Sequence, residues 1–143
     1  MSTLALTLVA RTAMLGTPGL LPRADVGAGV GGAASRIHFY ATARPGTTGA
    51  DAGGLPLATV VLAAPCGTVA SGVAQLLQAD VSGDLIATTG DAVWARWVAA
   101  DGEVLADGDA TAAAGAGPFK LTGTDGTRLY AGGRAILGAV ALS

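Results

Sequence analysis

The chain has 143 residues, 51% of them hydrophobic and 13% charged, with 23 glycines, one histidine, one cysteine and a formal net charge of −2. This length suits a single domain, and the charge content is about half that of an ordinary soluble one. The eight basic residues are scattered from Arg11 to Arg134, which excludes a nucleic-acid binder, whose cations cluster against phosphates.

No stretch approaches the roughly 20 consecutive apolar residues of a spanning helix. Two Trp, two Tyr and two Phe are too few for the aromatic girdles of a membrane barrel. No membrane partner is therefore expected. A lone Cys66 excludes an internal disulfide. So apolar a chain does not show all of its surface to water, and the composition predicts that other protein covers part of it.

At the N-terminus Leu4, Leu6 and Leu8 alternate with Ala5, Thr7 and Val9, a period of two that predicts a strand. The missing positive n-region and the interrupting threonines argue against a signal peptide. Residues 10–34 turn Gly-, Pro- and Ala-rich, with Pro18, Pro22 and the run Gly27-Ala-Gly-Val-Gly-Gly-Ala33. Regular structure is costly there, and a long structureless segment fits poorly inside a compact domain. It reads as an extended arm lying on another surface, with a loose surface loop as the alternative.

Further strands are predicted at Arg36–Ala41 and at Leu55–Ala64, the latter closed by Pro65 and Gly67. Val69–Gln78 carries both helical and strand spacing and reads as a strand because of its flanking glycines; Asp84–Thr88 is a short strand. The clearest local signal is Ala92–Ala99, then Asp101-Gly102, then Glu103–Ala106, a hairpin suited to a tight type I′ turn. Alternation puts Trp94 and Trp97 on opposite faces, one in the core and the other toward solvent or a partner. Phe119–Thr122 and Arg128–Tyr130 flank a turn at Thr124-Asp-Gly126, and Arg134–Leu142 resembles a long central strand. Many short strands with almost no helix predict an all-β fold, an antiparallel β-sandwich of jelly-roll kind.

Chemistry finds little purchase. His38 lies mid-strand without a Cys or His at ligand spacing. No Gly-x-Ser-x-Gly elbow marks a nucleophile. Asp101, Glu103, Asp107 and Asp109 lack the calcium-loop pattern, and Asp107-Gly-Asp109 reads as a strand end and turn. The glycine run from Gly27 precedes a strand where a phosphate loop needs a helix. No catalytic, cofactor-binding or metal-binding residue is predicted, and no cofactor.

From Arg36 onward, about three-quarters of the chain resembles small β-rich proteins encoded in tailed-phage structural gene clusters. The matching text is Arg36-Ile-His-Phe-Tyr40 with Arg44-Pro45, Gly54-Leu-Pro-Leu-Ala-Thr-Val60 running on to Pro65, Thr89-Gly-Asp-Ala-Val-Trp-Ala-Arg96, and the Asp101-Gly102 hairpin ending at Asp107-Gly-Asp109. In size and low charge the chain is similar to the capsid cement (decoration) proteins of phage heads. The resemblance implies a non-enzymatic virion protein on the outer capsid surface, made in the host cytoplasm. Its partners would be the major capsid protein and a second copy of itself, as a homodimer. Leu20, Leu21 and Arg23 of the arm, assisted by Trp94 or Trp97, are the expected capsid contacts. The alternative is a tail- or fibre-associated adhesion module that binds a host-surface glycan on the outward tryptophan.

Overall fold

A computed structural model describes residues 5–6, 20–26, 28–29, 33–70, 73–112, 115, 117–122, 127–138 and 141–142. Most of the expected N-terminal strand, residues 10–19 of the expected arm and the turn at Thr124-Asp-Gly126 lie outside the described residues. The strands are β1 (Ala5–Leu6), β2 (Arg36–Tyr40), β3 (Ala58–Ala70), β4 (Val73–Gln78), β5 (Asp84–Leu85), β6 (Gly90–Asp91), β7 (Trp94–Val98), β8 (Val104–Ala112), β9 (Phe119–Thr122), β10 (Arg128–Leu129), β11 (Arg134–Leu137) and β12 (Ala141–Leu142), with one short helix, α1 (Leu20–Ala24).

Among the described residues, ten strands form one curled, mostly antiparallel sheet, a half-barrel ordered β12-β4-β3-β2-β7-β8-β9-β11-β5. β1 takes the β8 edge at Ala106 and Asp107, and β9 takes it further along in a parallel pairing. β6 and β10 form a separate two-stranded ribbon. The curl brings β5 back beside β3, where Ile86 bridges Ala58. Polar side chains fasten this seam. Asp84 Oδ2 accepts the Val61 N–H at 3.1 Å and Gln78 Nε2 at 2.8 Å, while Gln78 Oε1 accepts the Leu137 N–H at 2.8 Å.

Alternation decides what the curl encloses. Ile37 and Phe39 from β2, Val60 and Leu62 from β3, Ala95 and Trp97 from β7, Leu105 from β8, and Phe119 and Leu121 from β9 all point into the main core. β-Branched and aromatic side chains suit such a pleated surface. The Trp97 indole N–H donates to Ser35 Oγ at 2.8 Å, and the Ser35 hydroxyl donates to the Val98 carbonyl at 2.9 Å. The polar end of this buried ring is thus satisfied.

Several sequence expectations change in detail. β3 does not end at Pro65 and Gly67; it runs 13 residues, with a register shift between Leu62 and Gly67. The glycine continues the strand because nothing larger fits: a Cβ at Gly67 would overlap the Gln75 carbonyl oxygen of β4. The expected long strand Arg134–Leu142 is two pieces with different partners, β11 beside β5 and β9, and β12 beside β4.

The β7–β8 hairpin forms as predicted, but its loop is not the two-residue kind. The Gly102 N–H donates to the Ala99 carbonyl at 2.9 Å, which places Ala100 and Asp101 at the turn's centre, and the Ala99 N–H donates to the Glu103 carbonyl at 2.8 Å. Gly102 follows at φ +97°, so this is a three-residue loop closed by a left-handed glycine.

Candidate functional site

The most developed polar arrangement lies on the outer face of β2, β7 and β8. Cross-strand register sets Tyr40 beside Trp94 and His38 beside Arg96, and on the next strand sets Asp107 beside Arg96. Asp107 is 1% exposed and Arg96 6%, so both charges lie beneath the surface. Arg96 Nε donates to Asp107 Oδ1 at 2.8 Å and Arg96 Nη2 to Oδ2 at 3.0 Å. This two-pronged fit is the geometry that makes guanidinium–carboxylate pairs strong.

The lid over this pair is the 41–54 loop. Arg96 Nη2 also donates to the Ala50 carbonyl at 2.6 Å, and the Gly49 N–H donates to Asp107 Oδ2 at 3.3 Å. Arg44 donates to the Asp107 carbonyl at 3.3 Å and to Asp109 Oδ1 at 3.2 Å. Thr42 ties the loop to itself through the Ala52 carbonyl at 2.7 Å and accepts the Trp94 indole N–H at 3.3 Å. Trp94 stacks on Tyr40 with centroids 4.5 Å apart, and the Arg96 guanidinium lies 5.1 Å from its ring centre. Tyr40, Ala52 and Trp94 thus form a second, smaller core on the far side of the sheet.

Both tryptophans are therefore fully buried. They do occupy opposite faces, as alternation requires, but neither meets solvent, because the 41–54 loop buries Trp94 as thoroughly as the main core buries Trp97. As capsid contacts Trp94 and Trp97 are corrected: their surfaces are already in use inside the chain.

The arm residues need a similar correction. Leu20 opens α1, but its side chain lies outside the described residues. Leu21 and Ala24 are buried in the main core, so this stretch is a helix docked on its own domain and not an extended strap. Pro22 falls in the first turn, where its missing N–H forfeits no helical bond. Arg23 Nη1 lies 3.0 Å from Asp101 Oδ2 on the β7–β8 loop, without the alignment of a hydrogen bond. Asp25 Oδ2 accepts the Cys66 N–H at 2.9 Å. The thiol beneath is buried and its pKa is pushed up to about 12, chiefly by burial and then by the neighbouring Asp25 carboxylate.

His38 Nδ1 sits 2.8 Å from Thr59 Oγ1. Burial, helped by the Arg36 and Arg96 charges, lowers its pKa below 6.5, so at neutral pH it is an uncharged ring in a hydrogen bond. Among the described residues no group of three or more His, Cys, Asp or Glu could hold a metal ion, and no helix is long and apolar enough to cross a membrane.

The surface shows a further pattern. Among the described residues, four basic and four acidic side chains are engaged with one another, as Arg23–Asp101, Arg44–Asp109, Arg96–Asp107 and Arg128–Asp91. Large apolar side chains meanwhile stand outside. Leu55 is 89% exposed, Val81 87% and Leu85 59%, with Leu77, Val93 and Tyr130 also exposed. Leu77, Val81 and Leu85 fall within nine residues along β4, its turn and β5.

Sequence reasoning missed the Arg96–Asp107 pair because Asp107-Gly-Asp109 was read as a turn. The signal was present. Counting back from a two-residue Asp-Gly loop sets position 96 opposite 107; the actual three-residue loop alone would set it opposite 106, and the register shift between Trp97 and Val98 restores the pairing of the two charges. No family model, curated protein or solved structure matches this chain.

Proposed function

We propose that this chain is a phage virion structural protein, a capsid cement (decoration) protein. It binds the outer surface of the major capsid protein and stabilises the head. The half-barrel with cores on both faces of β2 and β7 is the frame we read as a jelly-roll-like sandwich. The observation that carries the proposal is the exterior's bulky aliphatic side chains, left standing at β4, its turn, β5 and the loop before β3.

Apolar area removed from water contributes about 25 cal/mol per Å² before the costs of association are subtracted. A single such contact is modest, but many copies on a closed lattice reinforce one another. Self-contact as a homodimer across local two-fold axes suits the same exterior, since isologous pairing is the commonest symmetric solution.

The contact residues proposed here are Leu77, Val81 and Leu85. They replace Leu21, Trp94 and Trp97, which are buried, and Arg23, which is paired. Deleting residues 10–34 is accordingly a poor test, because it removes Leu21 and Ala24 from the core.

The better test adds purified protein to shells that lack it and measures copies bound per particle. Saturable binding in hundreds of copies is expected, with occupancy lost in a Val81→Glu, Leu85→Glu double variant. Absence of saturable binding, or full occupancy by that variant, would overturn the proposal. A handful of copies at the tail tip would instead support the adhesion reading. That reading has lost its tryptophan platform and would have to rest on exposed Tyr130, over which the Arg128 guanidinium sits 5.6 Å from the ring centre.

A further inference from the structure

α1 is attached differently from the rest of the fold. It has five residues, too few to be helical alone, so it persists only through what it touches. Its anchors among the described residues are these, besides the Cys66 thiol on the Leu21 carbonyl. Leu21 and Ala24 enter the core, the Ala24 carbonyl accepts the Ala100 N–H at 2.8 Å, Asp25 Oδ2 accepts the Cys66 N–H, and Arg23 approaches Asp101.

Against these stands one defect. Among the described residues, two buried side-chain polar atoms lack a hydrogen bond, and both are on this segment: Arg23 Nη1, which is compensated by the Asp101 carboxylate at 3.0 Å, and Asp25 Oδ1, which is not. A buried polar atom left unmatched penalises the docked state, because water would satisfy it on release. The Asp107 carboxylate is the contrast: both of its oxygens accept bonds from internal donors.

We infer that α1 is a releasable clasp, which undocks from β3 while the sheet stays folded and so gates access to Cys66. The geometry places the thiol directly under it: Cys66 Sγ lies 3.7 Å from the Leu21 carbonyl, to which it donates, and the residue is fully buried. Docked, the sulfur is shielded and almost wholly protonated, since burial pushes its pKa up to about 12. Released, it regains both solvent and the ordinary acidity of a thiol, and the thiolate is the reactive form.

Cys66 is the chain's single cysteine, so thiol labelling reports this one event. The probe is the aromatic disulfide DTNB at pH 8. The Cys66 thiolate attacks one sulfur, a mixed disulfide forms, and the other half leaves as a coloured thiolate that is counted by absorbance. Labelling of the native protein is expected to be nearly independent of guanidinium chloride at low concentration, and faster than global unfolding allows. Leu21→Ala should accelerate it by roughly tenfold or more, the scale of losing a buried leucine side chain. Phe119→Leu weakens the same core from β9, which pairs with β8, whereas the helix packs on β3; it should lower the unfolding midpoint yet leave labelling in the absence of denaturant unchanged.

If labelling carried the full denaturant dependence of global unfolding, and if Phe119→Leu sped it in proportion to the stability lost, the clasp would not exist. Should Leu21→Ala fail to fold, the wild-type denaturant dependence and Phe119→Leu decide the matter by themselves.

Discussion

Replacing Asp107 with alanine tests how the outer face is built. The substitution removes a carboxylate that is 1% exposed and accepts bonds from Arg96 Nε, Arg96 Nη2 and the Gly49 N–H. What remains is a buried guanidinium whose other partners are the Ala50 carbonyl and the Trp94 ring. Breaking a buried pair from one side typically costs about 3–5 kcal/mol, because the surviving charge stays out of water uncompensated. For a chain of this length about 1 kcal/mol corresponds to roughly 3 °C in Tm, so a fall of about 10–15 °C is expected. The measurement is thermal and guanidinium unfolding followed by circular dichroism. A double variant, Arg96→Met with Asp107→Leu, should recover much of the loss by substituting apolar packing for the pair. If Asp107→Ala cost under about 1 kcal/mol, or the double variant were no better than the single, the bridge would not be what holds the 41–54 loop down.

Further outcomes are expected. His38 titrates below its ordinary 6.5 in the folded chain, so the unfolded state takes up the proton first. Stability should be full above pH 6.5, fall as pH drops below it, and level off once the folded pKa is passed; urea midpoints across that range should show a slope that His38→Gln flattens. Gly67→Ala forces a methyl against the Gln75 carbonyl and should cost at least about 1–3 kcal/mol, read from the denaturation midpoint; a neutral result would mean that β3 and β4 are not so close. With both indoles buried, native tryptophan emission should be blue-shifted and resist acrylamide until unfolding, and strong quenching of half the signal would restore an outward tryptophan. Shell binding should depend weakly on sodium chloride and strengthen in sulfate, whereas a steep loss of affinity with added salt would point to an electrostatic interface.

The strands were legible in the sequence where alternation and turn chemistry agreed. Arg36–Tyr40 reads as a strand because Ile37 and Phe39 alternate with polar neighbours, and they do face the core. The β7–β8 hairpin follows from Asp101-Gly102. Other features were hidden because they depend on residues distant in the chain. Pro65 and Gly67 look like a stop, yet the ladder with β4 only breaks register between Leu62 and Gly67 and resumes at Gly67, since a cross-strand partner supplies what local propensity withholds. Gly, Pro and Ala around α1 forecast no helix, and one forms because Leu21 and Ala24 find a core to enter. The fate of Trp94 was illegible for the same reason: its cover comes from a loop more than forty residues earlier, whose attachment depends on Arg96 and Asp107 finding each other. The candidate contact surface was the least legible part, since β4 and β5 present Leu77 and Leu85 outward only once the seam at Gln78 and Asp84 has fixed their faces.

The placement of charge ties fold to function. A chain with so few ionised groups could have used all of them for solubility, yet the Arg96–Asp107 pair lies beneath a loop, Arg44 and Asp109 brace that loop, and Arg23 and Asp101 join α1 to the hairpin. The first takes two charges out of water altogether, and the other two pair charges that stay partly exposed. The interior had apolar residues enough for its core, so these pairs add position more than burial: they fix a loop and a helix that have little regular structure of their own. The exterior that results carries few charges, with Leu77, Val81 and Leu85 exposed in one short stretch. An apolar surface held in place by its own fold loses little entropy when it is covered, which is what the proposed role on a shell would require.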